Sequence, residues 1–99
     1  MPAVIAKLVA QPGKRDELVT VLTELLHAVE NEPGTLTYIM HTSAAEPDAV
    51  YFYETYADEA AKEAHGKSDA MRAAGKALAG ILAGRPEITA LDEIGRKGA

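Results

Sequence analysis

The chain has no cysteine and no tryptophan, and aromatic residues fill only 5% of its 99 positions. Without cysteine there is no disulfide, no thiolate nucleophile and no zinc site built on sulfur. Positive charge is also short: 10 lysines and arginines stand against 15 acidic residues, for a net charge of −5 at pH 7. No basic face is left to neutralise phosphates, which argues against nucleic acid as a partner. No apolar run approaches the roughly 18–20 residues that a membrane helix needs. The opening stretch MPAVIAKLVAQPGKRDE is too short and too interrupted for a signal peptide. A soluble, cytoplasmic protein with one domain over residues 1–99 is expected, without a membrane partner. A chain of this size buries roughly 60–65% of its unfolded surface, so its core is modest.

The few aromatics are concentrated. Tyr38, Tyr51, Phe52, Tyr53 and Tyr56 all lie between Pro33 and Tyr56. Within that stretch, residues 35–42 and 50–56 alternate like strands and flank a polar loop at 43–49, which reads as a hairpin. Leu36, Tyr38 and Met40 share one face of the first strand; Thr35, Thr37, Ile39 and His41 share the other. In the second, Val50, Phe52, Glu54 and Tyr56 alternate with Tyr51, Tyr53 and Thr55.

Other elements surround the hairpin. Residues 3–10 form a strand that is largely apolar on both faces, which suits a central position. Residues 14–31 form a helix, because Leu18, Val21, Leu22, Leu25, Leu26 and Val29 recur at helical spacing. Pro33 and Gly34 stop it. Asp58 is placed to cap a short helix through His65, and Ser68 to cap a second, small-residue helix that runs to Gly84. Residues 87–94 form the last strand. The order β-α-β-β-α-β predicts an α+β, ferredoxin-like (split βαβ) fold: a four-stranded antiparallel sheet with helices on one face. The uncovered face carries enough apolar surface to predict a homodimer packed sheet to sheet.

Chemistry-bearing residues are few. His65 ends a helix over the sheet's open end, and histidine is the side chain best suited to exchange protons at physiological pH, so it is a candidate general base. The structural alternative is a helix-end histidine serving the last carbonyls. Glu54 lies mid-strand among apolar residues, where a carboxylate must be paired or have a raised pKa. It could hold a histidine or a substrate hydroxyl, or bridge to a lysine. Tyr38 and Tyr56 could offer hydroxyls to a pocket or simply pack. His41 stands beside a loop and is a further candidate for substrate contact. The three histidines lack ligand spacing, so no metal site is expected.

Three segments together resemble a known family. Gly34, Thr35, Leu36, Thr37 and Tyr38 form one; Tyr53, Glu54, Thr55 and Tyr56 the next; Ala60, Ala61, Lys62, Glu63, Ala64 and His65 the third. In order and spacing, from Val4 to Ile94, they resemble the antibiotic biosynthesis monooxygenase superfamily, especially its short quinol-monooxygenase-like members. The resemblance implies a dimeric α+β barrel. It also implies oxygenation of a small phenolic, quinol or polyketide-like aromatic substrate by dioxygen with no cofactor. His65 would then be the catalytic base with Glu54 as its partner, while Tyr38, Tyr56 and His41 would bind substrate. Relatives also include haem-degrading enzymes, whose distorting tryptophan has no counterpart here, and a phosphorylated-sugar isomerase. An isomerase of a small carbonyl compound, or a non-catalytic dimeric ligand-binding or stress-associated protein, are the alternatives.

Overall fold

The computed structural model describes residues 1–98. Its elements are β1 (Pro2–Val9), α1 (Arg15–Val29), β2 (Thr35–Thr42), β3 (Ala49–Tyr56), α2 (Glu59–Gly66), α3 (Asp69–Leu78) and β4 (Glu87–Asp92). The strands form one antiparallel sheet in the order β2-β3-β1-β4. This is the ferredoxin-like α+β arrangement that the element order predicts.

The two central strands fix the inner face. Val4 pairs with Glu54, Ala6 with Phe52 and Leu8 with Val50. Against this face pack Leu18, Leu22, Leu25 and Val29 from α1 and Ala74 and Leu78 from α3, closing one apolar core. The sequence periodicity of α1 thus becomes a buried stripe, with Leu18 and Leu22 all but inaccessible. Ala70, Ala73, Ala74 and Ala77 of α3 face α1 across a narrow cleft. The helices start where the capping residues stand. The side chain of Asp58 accepts the Ala61 N–H at 2.8 Å, and Ser68 Oγ accepts the Met71 N–H at 3.1 Å.

Two sequence expectations are corrected. The periodicity carries α3 to Gly84, but the helix ends at Leu78. Beyond it the backbone is recruited by the end of β1. Leu82 bridges Ala10, the Gln11 N–H donates to the Ile81 carbonyl at 2.9 Å, and the Ala83 N–H to Val9 at 2.9 Å. Gly80 is a weak helix former, so these long-range bonds win. The second correction concerns β2. Thr35 pairs with Tyr56 but Thr37 pairs with Thr55, so the strand carries one extra residue, a bulge at Leu36. Leu36 is therefore turned from the face of Tyr38 and is 55% exposed on the open side. Thr35 now opposes the buried Tyr56.

Gly34 decides how closely α2 sits on the hairpin. A Cβ at this position would lie 2.5 Å from the Cβ of Ala61, a distance real side chains do not tolerate. The Gly34 carbonyl also accepts the Ala57 N–H at 2.9 Å, tying the turn to the end of β3. Gly34→Ala should therefore destabilise the fold by about 1–3 kcal/mol through overpacking. Urea denaturation checks this; an unchanged midpoint would show that α2 can back away freely.

Candidate functional site

The close seat of α2 delivers its last turn to the mouth of the sheet. His65, on that turn, is only 5% exposed. Its Nδ1 lies 2.8 Å from Oε1 of Glu32, a residue in the turn before β2. The same carboxylate oxygen accepts the Thr35 hydroxyl at 2.8 Å. The bulge that turns Leu36 outward thus leaves Thr35 where it can brace Glu32. With a carboxylate facing Nδ1, the neutral ring carries its proton there and Nε2 keeps a lone pair. Nε2 is buried and has no hydrogen-bond partner among the described residues.

His65 lines a half-open cavity of about 490 Å³ between the sheet and the helices. The polar lining is confined to Tyr38, Glu54, Tyr56, Lys62 and His65; residues such as Leu22, Phe52, Met71 and Ile88 supply apolar wall. The rings form a cluster around the imidazole. Tyr38 meets it edge-on with centroids 5.1 Å apart, Tyr56 lies at 5.5 Å, and Tyr38 packs on Phe52 at 4.5 Å.

The sequence reading makes Glu54 the partner of His65; in the structure Glu54 instead accepts a hydrogen bond from the Tyr56 hydroxyl, two residues along the same strand face. The alternation that buries Phe52 also buries both of these groups. Burial pushes the Glu54 carboxyl above the usual carboxylate range, against the opposing pull of the Tyr56 hydrogen bond and the charges of His65 and Lys62. Burial, then the bond to Glu54, holds the Tyr56 phenol well above its ordinary value. Burial and the negative charges of Glu54 and Glu32 do the same for Tyr38. Both phenols therefore remain O–H donors at neutral pH, and that of Tyr38 makes no hydrogen bond among the described residues. Among the described residues, Lys62 is the only lysine or arginine on the cavity wall.

Four of the five residues singled out from sequence thus come together: Tyr38, Glu54, Tyr56 and His65. His41 does not join them. It opposes Tyr51 on the outward-facing register and is exposed, clear of the cavity. Sequence reasoning missed Glu32 and Thr35. They flank the Pro33-Gly34 turn, and nothing local ties a carboxylate there to a histidine 33 residues on. Among the described residues, no group of three or more His, Asp or Glu side chains could hold a metal ion, and no helix is long and apolar enough to cross a membrane.

A ferredoxin-like sheet roofed by helices, with a mostly apolar cavity and an oriented imidazole beside it, defines an α+β protein with the kind of concave, mostly apolar site at which small molecules bind. Residues 1–77 match the family described as antibiotic biosynthesis monooxygenase, and the chain belongs to that family. A candidate antibiotic biosynthesis monooxygenase of Caulobacter crescentus CB15 is 37% identical over 95% of this chain and 90% of its own, with a TM-score of 0.88. A second such candidate, from Chloroflexus aurantiacus J-10-fl, is 25% identical over 98% of this chain and 96% of its own, with a TM-score of 0.81. A protein of Mycobacterium tuberculosis shares the fold at 22% identity, with a TM-score of 0.89 and 98% of each chain covered. No protein of curated function matches the chain.

The raised Glu54 pKa has a consequence for stability. Between the usual carboxylate value near 4.5 and the raised one, the folded state holds a proton that the unfolded chain has lost. Stability attributable to this group therefore falls as pH rises through that window. Glu54→Gln should remove that component, so its melting temperature should decline less than wild type as pH rises from below that value towards neutrality. Parallel melting curves for the two proteins would show that Glu54 carries no such penalty.

Proposed function

We propose that the protein is a cofactor-independent monooxygenase acting on a small phenolic, quinol or polyketide-like aromatic substrate. One observation carries the reading: a buried imidazole beside a cavity with mostly apolar walls is held through Nδ1 by Glu32, and its Nε2 has no partner among the described residues. Nε2 takes the phenolic proton, and Glu32 stabilises the imidazolium that results. The Tyr38 hydroxyl donates to the developing oxyanion, and the Glu54–Tyr56 pair closes the polar end of the cavity. The electron-rich anion then reduces dioxygen itself. The substrate gains one oxygen atom and loses two hydrogens, which leave with the second oxygen atom as water. Family membership supports the oxidative outcome. The apolar wall with its single lysine suits an aromatic body better than a phosphorylated sugar.

Oxygen uptake with a panel of reduced quinols tests the reading. His65→Ala should lower the rate about 10²–10⁴-fold, the usual contribution of a positioned general base. Glu32→Gln should lower it less, because the ring loses its orientation but not its basic nitrogen. A rate unchanged by His65→Ala would defeat the assignment. Turnover under strict anaerobiosis would replace it with isomerisation.

We also infer a cytoplasmic homodimer formed through the open face of the sheet. The support is the apolar surface there: Ile5 is 39% exposed, Leu36 55%, Ile39 49% and Tyr53 38%. A polar rim borders it, where Glu46 takes the Lys7 ammonium at 2.7 Å and the Tyr51 hydroxyl at 2.7 Å. Ile39→Asp should convert a species of twice the chain mass into one of single mass in sedimentation equilibrium. It should also abolish the concentration dependence of the melting temperature. A wild-type protein that sediments at single mass overturns the inference.

A further inference from the structure

Most cations of this acidic chain are engaged by carboxylates. Lys7 meets Glu46 at 2.7 Å, Lys67 meets Glu63 at 2.6 Å and Arg72 meets Asp69 at 3.1 Å. Lys62 forms no ion pair among the described residues. Carboxylates are not lacking nearby. Asp58 and Glu59 stand one turn before it, at the spacing of helical ion pairs. Asp58 instead accepts the Ala61 N–H as the helix cap. A lysine without a partner is ordinary on an open surface. Lys62, however, is half-buried and lines the cavity.

Its helix explains the placement. Lys62, His65 and Gly66 recur at i, i+3 and i+4, so α2 turns one face to the cavity. Residues so spaced are neighbours, with Cβ atoms roughly 5–6 Å apart. The carboxylates closest to this face already have partners. Glu54 accepts the Tyr56 hydroxyl, and Glu32 is held by His65 and Thr35. Glu54 does feel the positive charge of Lys62, but less than it feels its own burial and the bond to Tyr56. A lysine whose task was to neutralise Glu54 has a flexible stem with which to close on it. No such contact forms among the described residues.

We propose that Lys62 is a specificity-determining residue that pairs with a carboxylate on the substrate, so that the site prefers acid-bearing hydroxyarenes to neutral ones. This rests on reading the cavity as the substrate site, and it concerns binding rather than turnover. The phenolic oxygen meets Nε2 of His65, and the carboxylate meets the Lys62 ammonium one helical turn away. A carboxylate entering a mostly apolar cavity needs a counter-charge. Among the described residues of the wall, Lys62 alone carries a permanent one.

The test compares 2,5-dihydroxybenzoate with its methyl ester by anaerobic calorimetry at neutral pH. The two share one quinol ring and differ by one charge. Wild type should bind the acid about tenfold more tightly or better, the scale of a hydrogen bond to a charged group. Lys62→Met keeps an apolar stem without the charge. It should weaken the acid, leave the ester, and so bring the two within about threefold of each other. Lys62→Arg should retain the preference, because the charge is restored. Glu54→Gln should retain it too, since the partner of Lys62 is the ligand and not Glu54. Equal affinities in wild type, equal weakening of both ligands in Lys62→Met, or loss of the preference in Glu54→Gln would overturn the proposal. So would the absence of binding of either ligand to wild type. Acid-selective binding with no oxygen uptake on any quinol would sink the monooxygenase reading and leave this one standing. Oxygen uptake on neutral quinols, with no preference for the acid, would do the reverse.

Discussion

The contact between Glu32 and His65 joins two parts of the chain separated by the whole β2–β3 hairpin. Glu32 belongs to the turn that enters β2, and His65 to the helix that follows β3. Such a contact forms only if α2 folds back across the hairpin at one distance, which the bare backbone of Gly34 sets. The bulge at Leu36 acts on the same point from the other side, because it puts Thr35 in register with Tyr56 and within reach of Glu32. Three local features – a turn glycine, a bulged strand and a capped helix – therefore converge on one side-chain orientation. A site held by elements rather than by a mobile loop has its geometry set before any ligand arrives.

The sheet serves two environments at once. The inner face of β1 and β3 carries the core and, towards the Glu54 end, the wall of the cavity. The outer face carries Ile5, Ile39 and Tyr53, each partly exposed. Glu54 is on the inner face only because it keeps the parity of Val50 and Phe52, and it is tolerated there because Tyr56, with the same parity, donates to it. The polar and apolar halves of the cavity thus come from one alternation along a single strand. On the roof, the small alanines of α3 allow the approach of α1.

Much of this was legible in the sequence, for physical reasons that differ by element. Strand β2 could be bounded from Thr35 to Thr42 because Pro33 and Gly34 close the preceding helix and the alternation starts at once. The stripe of α1 was legible because its apolar spacing meets no competing signal. The end of α3 was not, since Ile81 and Leu82 continue the helical period although their backbone is claimed by β1 and Gln11, distant in sequence. Alternation also put Glu54 and Tyr56 on one face of their strand, but the bulge, invisible to a period of two, misplaced Leu36 and Thr35. His41 has the outward parity and so could not reach the site from its strand. Glu32 was out of reach of any local pattern: a turn carboxylate acquires meaning only when the fold returns a histidine to it.

The chemistry that follows depends on which imidazole nitrogen is bare. If Glu32 holds Nδ1, the base points its lone pair from Nε2, and the protonated phenols of Tyr38 and Tyr56 complement it with donors rather than competing for the proton. Nitrogen-15 NMR of ring-labelled His65, at a pH where the imidazole is neutral, tests this most directly. The account predicts a protonated Nδ1 and an unprotonated, pyridine-like Nε2, with the preference lost in Glu32→Ala. A ring that carries its proton on Nε2 in the wild-type protein would contradict it.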